Sequence, residues 1–228
     1  MLILGIDTSG KSGGITLADG NERSFRVLES APIAGGTFSA QLVPTIASLL
    51  RRHGFAAKDI GGIAVASGPG SFTGLRVGLS AVKGLAEVLG TPIATVSLLE
   101  ALAASTRQDG RVAAAMDAGR SEVFFGLYRV SAASASKISE NLLSQSEFLQ
   151  QLNHGNLAGA ITSDAPLAQL APAAPSKAQI QVVERPGSEM IARLGLKKLL
   201  AGETVTVEAL DANYIRRSNA EILFKDQR

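Results

Sequence analysis

Leu2-Ile3-Leu4-Gly5-Ile6-Asp7-Thr8-Ser9-Gly10 opens the chain, and Arg111-Val112-Ala113-Ala114-Ala115-Met116-Asp117-Ala118-Gly119 opens its second half. Each is a short apolar run that ends on an aspartate and meets turn residues, the mark of a buried strand. After the first come strands at Gly14–Ala18 and Ser24–Leu28, with Asp19-Gly20 as the hairpin signal. A helix follows at Phe38–Leu50, stopped by Gly54, with Pro44 expected near the first turn or at a kink. Then come a strand at Ile60–Ala66, a helix at Ser71–Leu89, a strand at Pro92–Val96 and a short helix at Leu98–Ala104. The second half repeats the order: strands at Glu122–Val130 and around Lys137–Leu142, a helix around Gln145–Leu152, and a strand at Leu157–Thr162. A short helix near Asp164, a strand at Gln179–Val183 and a helix at Gly187–Leu200 complete it. The letters do not repeat; the order of elements does. Two related α/β lobes follow, residues 1–106 and 107–201, joined near Thr106–Gly110, with 202–228 as a tail. Hairpin-linked strands and helical crossovers in one lobe make mixed sheets. Ser131–Ser136 and Ala171–Ser176 are low-complexity and read as surface loops.

Composition removes several function classes. With 46% hydrophobic and 18% charged residues, the 228-residue chain is globular rather than disordered. There is no cysteine, hence no disulfide, thiol chemistry or cysteine-bound zinc. The start turns acidic at Asp7, too soon for a signal peptide, and no stretch is long and charge-free enough to span a bilayer. A cytoplasmic protein is expected. A net charge of +2 does not announce nucleic-acid binding. The local excess at Arg216, Arg217, Lys225 and Arg228 reads either as a solvated tail or as an RNA or protein contact.

The two histidines, His53 and His154, stand apart and outside H-x-x-x-H or H-E-x-x-H spacing, so no metal site or Ser-His-Asp set is expected. His53 reads as a helix C-terminal residue meeting the dipole. Two aspartates at strand ends could hold Mg²⁺ and a nucleotide; each could equally cap its own turn through the backbone. The duplicated pattern around them resembles the actin, sugar-kinase and Hsp70 superfamily. It implies a duplicated actin-like (ASKHA, ribonuclease H-like) two-lobed α/β fold with mixed sheets. In that superfamily the first such aspartate belongs to a phosphate loop, usually with glycine after it; Thr8 stands there in this chain. No Gly-Gly follows Gly159-Ala160-Ile161-Thr162-Ser163-Asp164 either, where the adenine would lie. Asp7, Thr8, Ser9 and Asp117 are therefore read as vestigial phosphate-loop positions. An active ATPase or small-molecule kinase using Asp7 and Asp117 is the alternative.

Gly68-Pro69-Gly70-Ser71-Phe72-Thr73-Gly74-Leu75-Arg76 joins a strand to a helix, a place where backbone N–H groups can cradle phosphate. It fits neither the P-loop nor the dinucleotide spacing, since Thr73 stands where a glycine is needed. The helix after it has one polar stripe, Arg76, Ser80, Lys83 and Glu87, spaced four, three and four. The rest is apolar or glycine, with Gly74, Gly78 and Ala81 as a small-residue track. Phe38–Leu50 carries no charge at all. Either both helices are wholly buried within the chain or they form a surface shared with a partner. The partner reading assigns the contact to Phe38, Leu42, Ile46, Gly74, Leu75, Gly78, Leu79, Ala81, Val82 and Leu85. A homodimer could use the same helices.

Four segments together, Met1–Ser9, Ser67–Gly78, Met116–Phe124 and Tyr214-Ile215-Arg216, closely resemble the TsaB (YeaZ) family, in order along nearly the whole chain. The resemblance implies a non-catalytic scaffold, with no cofactor of its own, in tRNA threonylcarbamoyladenosine synthesis. It implies that the partner TsaD carries the metal and the transfer chemistry, that TsaE joins as an ATPase, and that tRNA is reached through the complex. It places TsaD on the helices Phe38–Leu50 and Ser71–Leu89. Tyr214, Arg216 and Arg217 become tail contacts to tRNA or TsaD. Related sequences have been labelled glycoproteases; two isolated histidines argue against that. Phe38 stands where the family often has histidine, Ala212 where it has proline, and Leu157–Ser176 matches poorly.

Overall fold

The structure is a computed structural model and describes residues 1–106, 108–131, 134–154, 156–170, 180–213 and 215. Tyr214, Arg216, Arg217, Lys225 and Arg228, and the loop Ala171–Ser176, lie outside these described residues. Two compact units emerge: Met1–Ala101 with Pro186–Ala212, and Leu102–Arg185 with the segment from Asn213.

The first unit holds β1 (Leu2–Asp7), β2 (Ser12–Gly20), β3 (Phe25–Ala34), α1 (Phe38–Arg52), β4 (Gly62–Gly68), α2 (Phe72–Leu89) and β5 (Ile93–Ser97). The sheet order is β3-β2-β1-β4-β5. β1 pairs antiparallel with β2 and parallel with β4, so the sheet is mixed. The hairpin turn falls one step beyond Asp19-Gly20: Asn21 Oδ1 accepts from the N–H groups of Arg23 and Ser24 and closes it as an Asx turn. β3 runs past Leu28 to Ala34; Pro32 is tolerated because β3 is a sheet edge. Pro44 sits in the second turn of α1, later than expected, and the helix continues through it to Arg52.

β1 and β4 are buried on both faces, and their apolar runs conceal an alternation of size. Leu4, Ile6, Ile63 and Val65 pack with Leu42, Ile46 and Leu49 of α1 and Leu79 and Val82 of α2. Each such side chain contributes roughly 1.5–3 kcal/mol of burial. The opposite face carries Gly5 and Ala64, and there α6 (Ser188–Leu200) lies almost on the backbone. A Cβ on Gly5 would stand 2.4 Å from the Ser188 carbonyl oxygen, and one on Gly195 would stand 2.1 Å from the Ala64 Cβ. Ser188 Oγ lies 2.8 Å from Thr16 Oγ1 and Lys198 Nζ lies 2.7 Å from Glu100, fixing the helix along and across the sheet. The expected second lobe, 107–201, is thus too long: residues from Pro186 belong to the first unit. Helical periodicity marks an apolar stripe without saying which sheet it covers. The boundary between units also falls inside α3 (Leu98–Ser105) rather than at Thr106–Gly110.

The second unit has β6 (Gly110–Gly119), β7 (Glu122–Ser131), β8 (Ser134–Ser144), α4 (Gln145–His154), β9 (Gly159–Thr162), α5 (Ala165–Leu170) and β10 (Ile180–Val182). Its sheet order, β8-β7-β6-β9-β10, repeats that of the first unit strand for strand, so the duplication read from the sequence is borne out. Arg120 and Ser121, both at positive φ, make the tight β6–β7 turn. Ala113, Ala115, Val123, Phe125 and Phe148 form the core, with Phe148 set edge-on to Phe125 at 6.2 Å.

Two outcomes follow. Gly5→Ala pushes a methyl group into the α6 backbone, and urea unfolding should show a loss of about 1–3 kcal/mol. Glu29 on β3 accepts from Arg52 Nη2 at 2.6 Å and pairs with His53 at 2.9 Å, which holds its carboxyl below the ordinary 4.5. A depressed folded-state value gives stability that is present above 4.5 and lost as the pH falls through the folded value. In an NMR titration Arg52→Ala should let the Glu29 midpoint rise towards 4.5; an unchanged midpoint would disprove the pairing.

Candidate functional site

α2 begins where Ser71 Oγ accepts from the Gly74 N–H at 3.2 Å, and ends at Gly90, whose φ of 64° suits only glycine-like residues. The glycine turn before it is not an open cradle. Ser71 N–H already donates to the Ser9 carbonyl at 2.7 Å. Gly70, Gly74 and Gly78 lie one below another and face Ser9 and Thr8; a Cβ on each would fall 2.4, 2.0 and 2.2 Å from the Ser9 carbonyl oxygen, Thr8 carbonyl oxygen and Thr8 Oγ1. The glycines let α2 rest on the end of β1.

Asp7 is buried, and its Oδ1 accepts from both the N–H and the hydroxyl of Ser9. Asp117, in the second unit, is exposed, and its Oδ1 accepts from the Gly119 N–H at 2.9 Å. Each aspartate closes its own turn. Thr8 Oγ1 is buried against Gly78 and has no hydrogen-bond partner. Among the described residues no three His, Asp or Glu side chains are placed to hold a metal ion. His53 is the C-cap residue of α1, as expected.

Eight of the ten residues assigned to a partner contact prove to be core. Phe38, Leu42, Ile46, Gly74, Leu75, Gly78, Leu79 and Val82 are buried within the first unit, and Ala81 and Leu85 are half-buried. The strongest apolar stripe of a surface helix faces its own sheet, so a partner can meet only the weaker second stripe. The small-residue track faces Thr8, and Gly78→Arg would break the fold rather than probe an interface. What α1 and α2 present outward is Val43, Phe72 and Val88, exposed by 51%, 44% and 83%, with Val77 and Ala81 between them. Sequence reasoning did not single out Val43, Phe72, Val77 or Val88; Val77 and Val88 lie on the side of α2 away from Leu75 and Leu79.

Phe38, Ser39, Leu42 and Val43 of α1 with Phe72, Thr73, Arg76, Val77, Ser80 and Ala81 of α2 enclose a groove of about 510 Å³. It has one charged residue, Arg76, whose guanidinium lies 3.8 Å over the Phe72 ring. An apolar, nearly charge-free groove between two helices suits a protein surface better than a polar reactant.

Two units with the same mixed-sheet order define a duplicated actin-like α/β protein. Residues 32–219 match the family model described as "TsaD: tRNA N6-adenosine threonylcarbamoyltransferase", and the chain belongs to that family. It is 40% identical over 130 residues to the tRNA threonylcarbamoyladenosine biosynthesis protein TsaB of Bacillus subtilis, covering 57% of this chain and 56% of that protein. It is 34% identical over 133 residues to the TsaB protein of Escherichia coli, covering 57% and 55%. The chain thus spans about half the length of the curated relatives it matches. The solved structure of YeaZ from Pseudomonas aeruginosa superposes with a TM-score of 0.73 at 27% identity, over 93% of this chain and all of that one. The likeness to TsaB and YeaZ expected from the motifs is borne out.

The unpaired Thr8 hydroxyl gives a direct test of the packing. Thr8→Val keeps the shape and removes the buried orphan, and should raise unfolding stability by about 1 kcal/mol in denaturant titration. A loss of stability would mean that the hydroxyl has a partner.

Proposed function

We propose that this chain is a non-catalytic scaffold in the synthesis of threonylcarbamoyladenosine on tRNA. It binds a catalytic subunit of the TsaD type through the outward face of α1 and α2. The observation that carries this reading is the apolar groove between α1 and α2, lined by Phe38, Leu42, Val43, Phe72, Val77 and Ala81, with Val43 and Phe72 themselves exposed. Apolar grooves of that kind are common sites of protein–protein contact. The printed names of the TsaB relatives supply the pathway. Asp7 and Asp117 each use Oδ1 to close a turn of their own, and among the described residues no further His, Asp or Glu side chains gather with them into a metal-binding group.

On this reading ATP and metal belong to the partner subunits, TsaE supplies ATP hydrolysis, and tRNA is met through the complex. Arg216 and Arg217 are tail contacts to tRNA or to the catalytic subunit. No described helix is long and apolar enough to cross a membrane, which fits a cytoplasmic complex.

Reconstitution tests the proposal. The chain alone should modify no tRNA, and adding it to a TsaD-type subunit, a TsaE-type ATPase and threonylcarbamoyl donor should restore modification. Val43→Asp combined with Val88→Asp should weaken the heterodimer by roughly thirtyfold or more, with little change in melting temperature because both positions are exposed. Full binding by that variant, or tight Mg-ATP binding by the isolated chain in calorimetry, would overturn the reading.

A further inference from the structure

One row across the sheet of the second unit carries charge with nothing to balance it. Arg111 on β6 stands directly opposite Arg129 on β7, and Ser136 on β8 stands opposite Arg129 on its other side. Ala158, just before β9, flanks Arg111 and donates its N–H to the Arg111 carbonyl. All four residues are exposed. Residues opposite one another on adjacent strands share a face. The row therefore lies one step along the strands from Ala113 and Leu127, which pack in the core of the unit.

Two like charges on neighbouring strands, with Cα atoms about 5 Å apart, repel each other. Among the described residues the carboxylates in ion pairs are Asp19, Glu29, Glu100 and Glu189, and none of them is paired with Arg111 or Arg129. Asp109, two residues before Arg111, forms no ion pair with it either. The pair thus costs the folded unit repulsion that no neighbouring acid offsets. The row holds no apolar side chain larger than alanine, whereas the centre of a protein interface is apolar. Two guanidinium groups flanked by small residues suit phosphate, which each can meet with two parallel N–H bonds.

We propose that Arg111 and Arg129 form a contact for the phosphate backbone of tRNA on the open end of the second sheet. The site rests on the chemistry of the row; the choice of tRNA as the nucleic acid rests on the proposed function. Two arginines on strands, with no groove-reading element beside them, hold backbone rather than read bases. The contact positions the tRNA and carries no sequence preference of its own.

Fluorescence anisotropy with labelled tRNA across a salt series tests the contact, on the full chain alone and on the chain joined to a TsaD-type subunit. Arg111→Gln and Arg129→Gln should each weaken tRNA binding by roughly fivefold. Each should also lower the slope of log Kd against log salt by about one, whatever the tRNA sequence. Arg111→Lys/Arg129→Lys should keep the slope, because the charges remain. Arg111→Gln/Arg129→Gln should melt no lower than the wild type, since a repulsion has been removed. Unchanged affinity and slope sink the inference. So does a lower melting temperature, which makes the arginines part of the fold, or weaker binding of the TsaD-type subunit, which makes the row a protein contact. A heterodimer whose tRNA affinity ignores these substitutions removes this inference and leaves the proposed function standing. A chain that ignores the TsaD-type subunit yet binds tRNA through both arginines does the reverse.

Discussion

The first unit depends on one close approach, the backbone of α2 against the end of β1. Gly70, Gly74 and Gly78 remove every side chain from the inner line of the turn and helix, so that Thr8 and Ser9 touch main chain. Ser71 spends its N–H on Ser9 as part of the same contact. From there Leu75, Leu79, Val82 and Ala86 reach the sheet and α1 packs beside them. A larger residue at any of the three glycines would lift the helix off the strand end and open the core that both helices cover.

Most of the architecture was legible in the sequence because it depends on local rules. The aspartate-ended strands, the glycine stop after each long helix and the repeated order of elements all follow from chain-neighbour chemistry. The β6–β7 turn and the His53 cap lay where turn and helix-end residues put them. What stayed hidden was non-local. α6 carries an ordinary amphipathic pattern, and nothing in it says that it returns to the first sheet. The clue was there only in pairs: Gly5, Ala64 and Gly195 are small because they meet one another's elements.

The assignment of α1 and α2 residues to a partner contact met a related difficulty. Leu42, Ile46, Leu75 and Leu79 gave the loudest apolar signal, and that signal belonged to the sheet. Loudness measures burial in the fold; a docking surface is built from what the fold leaves over. Val77 and Val88 lie about half a turn from the leucine stripe of α2, and Val43 about a quarter turn from that of α1, and they are quieter because polar residues share their arc. The terminal arginines had no structural counterpart to compare, since they lie outside the described residues.

The packing that closes the phosphate-loop region and the composition of the outer face are linked through one helix. An 18-residue helix has a limited inner arc, and α2 spends two positions of it on glycine for the sake of Thr8. Those glycines bury no side chain, so the helix holds to its unit mainly through Leu75, Leu79, Val82 and Ala86. Of the valines on the outer arc, Val77 is half-buried and packs against the core, whereas Val88, 83% exposed, gains little from folding. A helix seated on the end of β1 by its backbone and held to the core by four side chains follows from that one glycine spacing.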